Sequence, residues 1–283
     1  MNHTLGDGHT YYQLYRMLCD GAKIEAFNPV RKDGFEEAKT EVIGAPEQRM
    51  FTSAGYGINI MGKFLVGKIL KKPPQNLLIN EIDPAWIAEQ KAAAKVEGSV
   101  PFISSNDAVT SWYFSTMKAD LNLLVANFRS RTPSILGLTD SDIGNYEANV
   151  PYFPQDVATP SLIRQSISDG NNGFQAKRAA EPATEIPGFR KLLKCDTSII
   201  TNWATFYSDL VVQNIEGAAL QPKLHLPIME PDGLITSIWN SCVVFRPSAG
   251  KLAILLITRN LEADAVERSK TAGERTPLGI RIL

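Results

Sequence analysis

The chain has 283 residues, of which 44% are hydrophobic and 21% charged, and its formal net charge at pH 7 is −1. This balance is typical of a globular protein with a sizeable core, and it gives no basic excess that would favour nucleic acid or an anionic membrane as a partner. No run approaches 18 consecutive apolar residues, and residues 1–20 lack the pattern of a secretory signal, so neither a transmembrane segment nor export is expected.

The first quarter of the chain predicts helices. In residues 8–19 apolar side chains recur at helical spacing, and Gly21 follows as the expected stop; the stripe consists of Tyr11, Leu14, Tyr15 and Leu18. Two weaker helical patterns follow near residues 34–41 and 60–70.

A domain boundary is predicted at KKPPQ, residues 71–75. Consecutive prolines cannot continue a helix, so this segment is typical of a connector. The chain is therefore divided into residues 1–75 and residues 76–283.

The second part opens with a strand and a well-marked helix. NLLINEI at 76–82 predicts a short strand. Residues 83–98 carry the usual helix signals, with Asp83 as N-cap, Pro84 at the first position and Gly98 as the stop.

The remainder mixes both kinds of element. Further helices are predicted over 104–119 and 159–170, the second closed by Gly170, and residues 171–186 predict a mobile or surface insert. Strands are predicted at 121–129, 144–153, 198–206, 234–245 and 251–258, with RPSAG at 246–250 as a hairpin turn between the last two. The fold class is therefore α/β, a mixed sheet layered with helices.

Cysteine and histidine usage points away from metal sites. Cys19, Cys195 and Cys242 are far apart and odd in number, so they form neither a zinc spacing nor a disulfide framework, and a reducing, cytoplasmic setting is expected. His9 is interpreted as a helix-face residue, and His225 is assigned no role. Trp112 and Tyr113 are expected to pack in the core, with a tunnel wall as the alternative.

A His-x-x-x-Asp-Gly motif lies at His3, Asp7 and Gly8. Each histidine has roughly a 0.4% chance of this neighbourhood, and the alternative interpretation is a surface turn around Asp-Gly. Histidine is the usual general base near neutral pH, and Asp7 could fix the loop that presents it. No serine or cysteine lies in a nucleophile elbow, so direct transfer is favoured over a covalent intermediate.

Four segments in order resemble the His-x-x-x-Asp acyltransferases, which include plant alcohol acyltransferases, trichothecene acetyltransferases, chloramphenicol acetyltransferase and condensation domains of peptide synthetases. They are HTLGDG (3–8), ISSNDAVTSWYFS (103–115), FRSRTPSILGLTDSDIGNYEANV (128–150) and TNW (201–203).

The resemblance implies a chloramphenicol-acetyltransferase-like fold of two similar domains with a tunnel between them. It implies His3 as the base, Asp7 as a structural carboxylate paired with Arg129 or Arg131, and Gly8 as a structural residue of the motif. It further implies an oxyanion contact from Thr201 and substrate contacts from Trp203 and Asn145.

Two departures from the family accompany the resemblance. The Asp-Phe-Gly-Trp-Gly motif is replaced by YSDLVVQNIEGAALQP at 207–222. Family members also carry most of a domain before the His. We therefore expect an N-terminally truncated member, whose front domain is largely missing and of which residues 1–75 are a remnant holding the motif loop and crossover.

The function expected from the resemblance is transfer of an acyl group from a CoA thioester to a hydroxyl or amine of a small molecule. Acyl-CoA would be a co-substrate, with no bound cofactor and no metal. The alternatives are a condensation-type enzyme that uses carrier-protein thioesters, and a non-catalytic binding module.

Overall fold

The computed structural model describes residues 5–19, 21–69, 76–131, 134–169, 173–181, 185–206, 212–213, 219–220, 225–227, 238–258 and 278–281. His3, the connector at 71–75, Gly170 and most of 207–222 lie outside these residues. The division into residues 1–75 and 76–283 stays a prediction.

A seven-stranded mixed sheet organises the described part of the chain. Its strands are β1 (Asn76–Ile82), β2 (Leu121–Asn127), β3 (Glu147–Tyr152), β4 (Thr197–Asn202), β7 (Asn240–Phe245), β8 (Ala253–Thr258) and β9 (Leu278–Arg281), and β5 (Val212–Gln213) and β6 (Ala219–Leu220) form a separate two-stranded ribbon. The order across the sheet is β3-β2-β4-β7-β8-β1-β9. Strand β2 runs parallel to β4 and β4 parallel to β7, whereas the other neighbours are antiparallel.

Helices surround the sheet. They are α1 (Gly8–Arg16), α2 (Phe35–Ile43), α3 (Ala45–Phe51), α4 (Ala54–Ile69), α5 (Pro84–Glu97), α6 (Ser105–Met117), α7 (Pro160–Ile167) and α8 (Phe189–Leu192), with a 3-10 helix at Pro154–Val157. The mixed α/β prediction is confirmed.

Side chains alternate between the two faces along each strand, and both faces are apolar because apolar residues occupy both sets of positions. One face carries Leu124 and Ile200 and packs on α5, α6 and α7 in the largest core cluster, which includes the fully buried Tyr113. On the opposite face, α3, α4 and α8 cover Leu121 and Leu123 at one end. At the other end of that face lies a cluster of Ile79, Val243, Phe245, Ala253, Leu255 and Ile257.

Local signals predicted several elements accurately. The Asp83 side chain accepts a hydrogen bond from the Ala85 amide at 2.8 Å at the start of α5, and Gly98 closes that helix in the left-handed region at φ 73°. Strands β7 and β8 form the expected antiparallel hairpin across residues 246–250. Tyr113 and Trp112 pack in the core as expected.

Two predictions were wrong. Helix α7 ends at Ile167, where Ser168 leaves the helical region, and so stops before Gly170. Residues 173–181, part of the predicted surface insert, pack on the body: Ala176 is buried in the main core and Phe174 lies edge-on to Phe128 at 5.4 Å. Polar and charged residues are mixed among the apolar ones in this segment, so its few large apolar residues gave no sequence signal that it packs against the core.

Candidate functional site

Asp7 and Gly8 of the motif lie where several strands of the sheet end. Strands β2, β4 and β7 run in the same direction, and Arg129, Trp203 and Arg246 follow their carboxyl ends. The Asp7 amide donates to the Gly144 carbonyl at 3.2 Å, just before antiparallel β3 begins. Residues distant in sequence thus meet Asp7 at the strand ends.

The Asp7 carboxylate is buried and fully engaged. Its Oδ2 accepts from Arg129 Nη1 at 2.7 Å and from the Tyr146 amide at 3.0 Å. Its Oδ1 accepts from the Thr10 amide at 3.0 Å and from the Thr10 hydroxyl at 3.1 Å. Burial by itself would raise the pKa of Asp7, but Arg129 and the two backbone amides outweigh it and hold the pKa below its usual range. Asp7 is therefore an anchor and not a proton acceptor.

Arg129 is the arginine that pairs with Asp7. Its side chain is 0% exposed, and its Nε donates to the Asp142 carbonyl at 2.7 Å and its Nη2 to the Gly144 carbonyl at 2.8 Å. The guanidinium also lies over the Tyr146 ring, 5.0 Å from its centroid. Arginine suits this place because its planar fork donates in several directions at once.

Arg131 has a different environment. Its Nε donates to the Asn127 carbonyl at 2.6 Å, and its guanidinium stacks on Phe174 at 4.5 Å. Burial lowers the pKa of Arg131. This arginine holds residues 173–181 and takes no part in the Asp7 pair.

Helix α1 forms within the range where the sequence predicts a helix, and it buries a face that the apolar stripe does not mark. Asp7 is its N-cap, and the helix buries His9, Thr10 and Tyr12. Of the apolar stripe, Tyr11, Leu14 and Leu18 are 39%, 44% and 69% exposed, whereas Tyr15 is half-buried. The hydrogen bonds of Asp7 and Thr10 hold this face of the helix against Gly144.

Gly8 and Trp203 are in close contact. A Cβ placed on Gly8 would lie 3.2 Å from the Trp203 indole nitrogen. The Trp203 backbone is held in turn, since its amide donates to the Val244 carbonyl at 2.8 Å. A side chain larger than hydrogen at residue 8 would have to displace the indole ring.

Thr201 and Asn145, the other predicted contact residues, lie close to this region in the chain. Thr201 is half-buried on β4 in register with Val243, and strand alternation puts it on the same side as Ile199, on the face opposite the largest core cluster. Asn145 is half-buried. Of its two neighbours in the chain, Gly144 donates its amide to the Thr10 hydroxyl and Tyr146 donates its amide to the Asp7 carboxylate.

Two residues of the region were not anticipated. The Tyr12 hydroxyl lies 2.9 Å from His225 Nε2, and the Tyr12 ring lies edge-on to Trp203 with centroids 6.2 Å apart. His9, in contrast, contacts the Asp140 carbonyl through Nε2 at 3.0 Å. A tyrosine on an otherwise amphipathic helix gave no sequence signal for a partner more than 200 positions away.

Other features of the described residues do not compete with this region. Burial raises the pKa of the Cys195 and Cys242 thiols, which leaves them poor nucleophiles. Within the described ranges, no three His, Cys, Asp or Glu side chains group as metal ligands, and no helix is long and apolar enough to cross a membrane. A cavity of about 310 Å³ near Phe102 and Arg164 is lined by none of the predicted site residues.

Comparison with known proteins yields structural likeness only. No family model and no curated protein matches the chain. TRI101 of F. graminearum, complexed with coenzyme A and T-2 mycotoxin, is similar over 74% of this chain and 51% of its own, at 14% identity and TM-score 0.48. SgcC5 of Streptomyces globisporus is similar over 96% of this chain and 65% of its own, at 11% identity and TM-score 0.45.

The first condensation domain of the calcium-dependent antibiotic synthetase is similar over 98% of this chain and 63% of its own, at 11% identity and TM-score 0.42. The chain thus spans about half the length of TRI101 and less than two thirds of the other two.

Proposed function

We propose that the chain takes part in acyl transfer from a CoA thioester to a hydroxyl or amine of a small molecule, with His3 as general base. The observation that carries the proposal is the Asp7–Arg129 pair. Asp7 lies four residues after His3, and both of its carboxylate oxygens already accept hydrogen bonds from groups at the strand ends and on α1. It is therefore suited to fixing the motif loop, and the imidazole of His3 is left as the basic group of the motif.

The proposed reaction is a direct displacement. Neutral His3 removes the proton from the acceptor O–H or N–H as that atom attacks the thioester carbonyl carbon. A tetrahedral oxyanion forms, and its collapse breaks the C–S bond. The departing CoA sulfur takes the proton from the imidazolium, so the products are the ester or amide and free CoA, and His3 returns to its neutral form.

Thr201 is proposed to donate its hydroxyl hydrogen to the oxyanion. A donor aimed at the position where charge develops stabilises the transition state more than the substrate. Trp203 and Asn145 are proposed to contact the substrate. Support for Trp203 comes from its indole ring, which packs on Gly8 of the motif itself.

Acyl-CoA enters this scheme as a co-substrate, and no bound cofactor is needed for the proton transfers. A reducing, cytoplasmic setting would supply the acyl-CoA. The buried thiols of Cys195 and Cys242, with their raised pKa, are in keeping with a mechanism that uses no cysteine nucleophile.

The test is product formation by the full chain. Acetyl-CoA is incubated with a panel of primary alcohols and amines, and acetylated products are detected by mass spectrometry. Parallel reactions supply the acetyl group on a phosphopantetheinylated carrier protein. The proposal expects products with acetyl-CoA, lost in His3→Ala and kept in His9→Gln, because His9 is a packing residue outside the proposed chemistry.

Products with the carrier protein alone would replace the CoA proposal with the condensation-type alternative. No product from either donor, with a folded chain, would favour the non-catalytic alternative. Products undiminished in His3→Ala would remove His3 from the mechanism.

A further inference from the structure

Trp203 belongs to a closed chain of contacts between neighbouring residues. Its ring meets the Tyr12 ring edge-on at 6.2 Å, and the Tyr12 hydroxyl meets His225 Nε2 at 2.9 Å. His225 Nδ1 lies 3.0 Å from the Arg246 carbonyl, and Arg246 Nε donates to the Ala204 carbonyl at 3.2 Å. Ala204 follows Trp203 in the sequence, so the chain of contacts returns to its start.

The direction of the hydrogen bonds in this chain of contacts follows from the chemistry of the groups. A carbonyl oxygen can only accept, so the contact with Arg246 requires a proton on His225 Nδ1. In the neutral imidazole Nε2 is then the acceptor, and the Tyr12 hydroxyl donates to it. Burial, together with Tyr11 and Tyr15, raises the pKa of Tyr12, which keeps the phenol protonated as this role requires.

The imidazole is held on other sides as well. The His225 amide donates to the Pro247 carbonyl at 2.9 Å, and the ring lies edge-on to Phe245 at 6.5 Å. Tyr12 is 4% exposed and also packs on Phe206, with centroids 5.8 Å apart. Little room is left for either ring to change its orientation without breaking the pair.

We propose that Tyr12 and His225 are a positioning pair, in which the hydroxyl-to-imidazole hydrogen bond sets the orientation of Trp203 against Gly8 and thereby the placement of the motif loop. This inference rests on the proposed function for its catalytic consequence. The pair touches neither substrate nor reacting atoms in the proposed reaction, so its effect passes through Trp203. A phenylalanine at residue 12 could pack on Trp203 equally well, but it could not anchor the ring to His225.

Three substitutions separate hydrogen bonding from packing. Tyr12→Phe keeps the ring and removes the donor. His225→Asn keeps a donor near the position of Nδ1, facing the Arg246 carbonyl, but offers nothing near Nε2. His225→Gln offers an amide oxygen near the position of Nε2 and can still accept from Tyr12, so it is the matched control.

The kinetic test measures kcat and KM for acyl-CoA in these variants, with thermal unfolding alongside. We expect Tyr12→Phe and His225→Asn to lower kcat at least about tenfold with KM little changed, since small misplacements of catalytic groups are costly. His225→Gln should recover most of the rate, and the Tyr12→Phe/His225→Asn double variant should be no slower than either single. Folded variants with wild-type kcat would overturn the positioning role.

A second readout needs no turnover. The Trp203 indole N–H resonance is assigned in ¹⁵N-labelled protein by its loss in Trp203→Phe, and the His225 tautomer is determined from its ring ¹⁵N shifts. We expect a proton on Nδ1 in the wild type, and a displaced or broadened Trp203 signal in Tyr12→Phe and His225→Asn but not in His225→Gln. A proton on Nε2 in the neutral ring, or an unmoved Trp203 signal, would overturn the pair even if acyl transfer is observed. If no acyl transfer is observed, the proposed function fails and this readout still decides the pair.

Discussion

Arg129 donates to Asp7 across 2.7 Å, and the two side chains are 0% and 2% exposed. A buried ion pair is costly to form, and it is retained here with every carboxylate oxygen bonded. Its effect is geometric: it joins the loop before α1 to the ends of β2 and β3.

Removing the charge of Asp7 is expected to be severe. Asp7→Asn leaves the Arg129 guanidinium buried without its counter-ion, and we expect a loss of roughly 3–5 kcal/mol in the free energy of unfolding, measured by urea denaturation. Asp83→Asn is the matched control, because Asp83 is also a helix N-cap but has no buried arginine partner among the described residues, and asparagine caps equally well. A double variant with Arg129→Met should show coupling, whereas one with Arg131→Met should be close to additive. The reverse pattern would assign the pair to Arg131.

Acid should weaken the fold through the same pair. The pKa of Asp7 in the folded chain lies below the ordinary value of 3.8, so the pair contributes stability above about pH 4 that is lost as the pH falls through the folded pKa. We expect the difference in unfolding free energy between wild type and Asp7→Asn to be constant from pH 7 to about pH 5 and to shrink below pH 4. A difference that stays constant down to pH 2.5 would contradict the lowered pKa.

A methyl group at residue 8 should disturb Trp203. Gly8→Ala places its Cβ 3.2 Å from the indole nitrogen, and we expect a cost of about 1–3 kcal/mol together with a fall in turnover. Gly57→Ala on α4 is the control, because a Cβ there meets nothing within 4 Å and alanine favours the helix by roughly 0.5–1 kcal/mol. Thermal unfolding of the two variants should shift in opposite directions. Equal shifts would show that the Gly8–Trp203 contact is loose.

Thr201 should matter for rate and little for folding. We expect Thr201→Val, which keeps the shape and removes the hydroxyl, to lower kcat by roughly 10²–10³. Thr40→Val on α2, where the hydroxyl bonds the Glu36 carbonyl at 2.9 Å, serves as the control and should leave kcat unchanged. A full rate in Thr201→Val would take the oxyanion role away from this residue.

The parts of the fold that follow local rules were predictable from sequence. The caps of α5 depend on Asp83 and Gly98 themselves, and the β7–β8 hairpin depends on two apolar runs around a short turn. The motif and the resemblance also narrowed the partner of Asp7 to Arg129 or Arg131. Distinguishing the two required the path of the chain after β2, which no local pattern contains.

The features that were missed depend on long-range contacts. The apolar stripe of α1 predicted the helix but did not identify its buried face, because Asp7 and Thr10 bond groups near residue 144 that periodicity cannot represent. Likewise, Tyr12 meets His225 only once the end of β7 is placed beside α1. Buried polar networks joining distant segments are what a pattern of apolar residues leaves out.

The central claim is that neutral His3 is the base for acyl transfer, and the pH dependence of kcat/KM with acetyl-CoA and a responsive acceptor tests it most directly. We predict that kcat/KM rises with pH through a single ionisation near that of histidine, about 6.5, and levels off above it. His3→Ala should lower the plateau by about 10²–10⁴ and abolish that ionisation. A His3→Ala profile that keeps both the plateau and the ionisation would contradict the account.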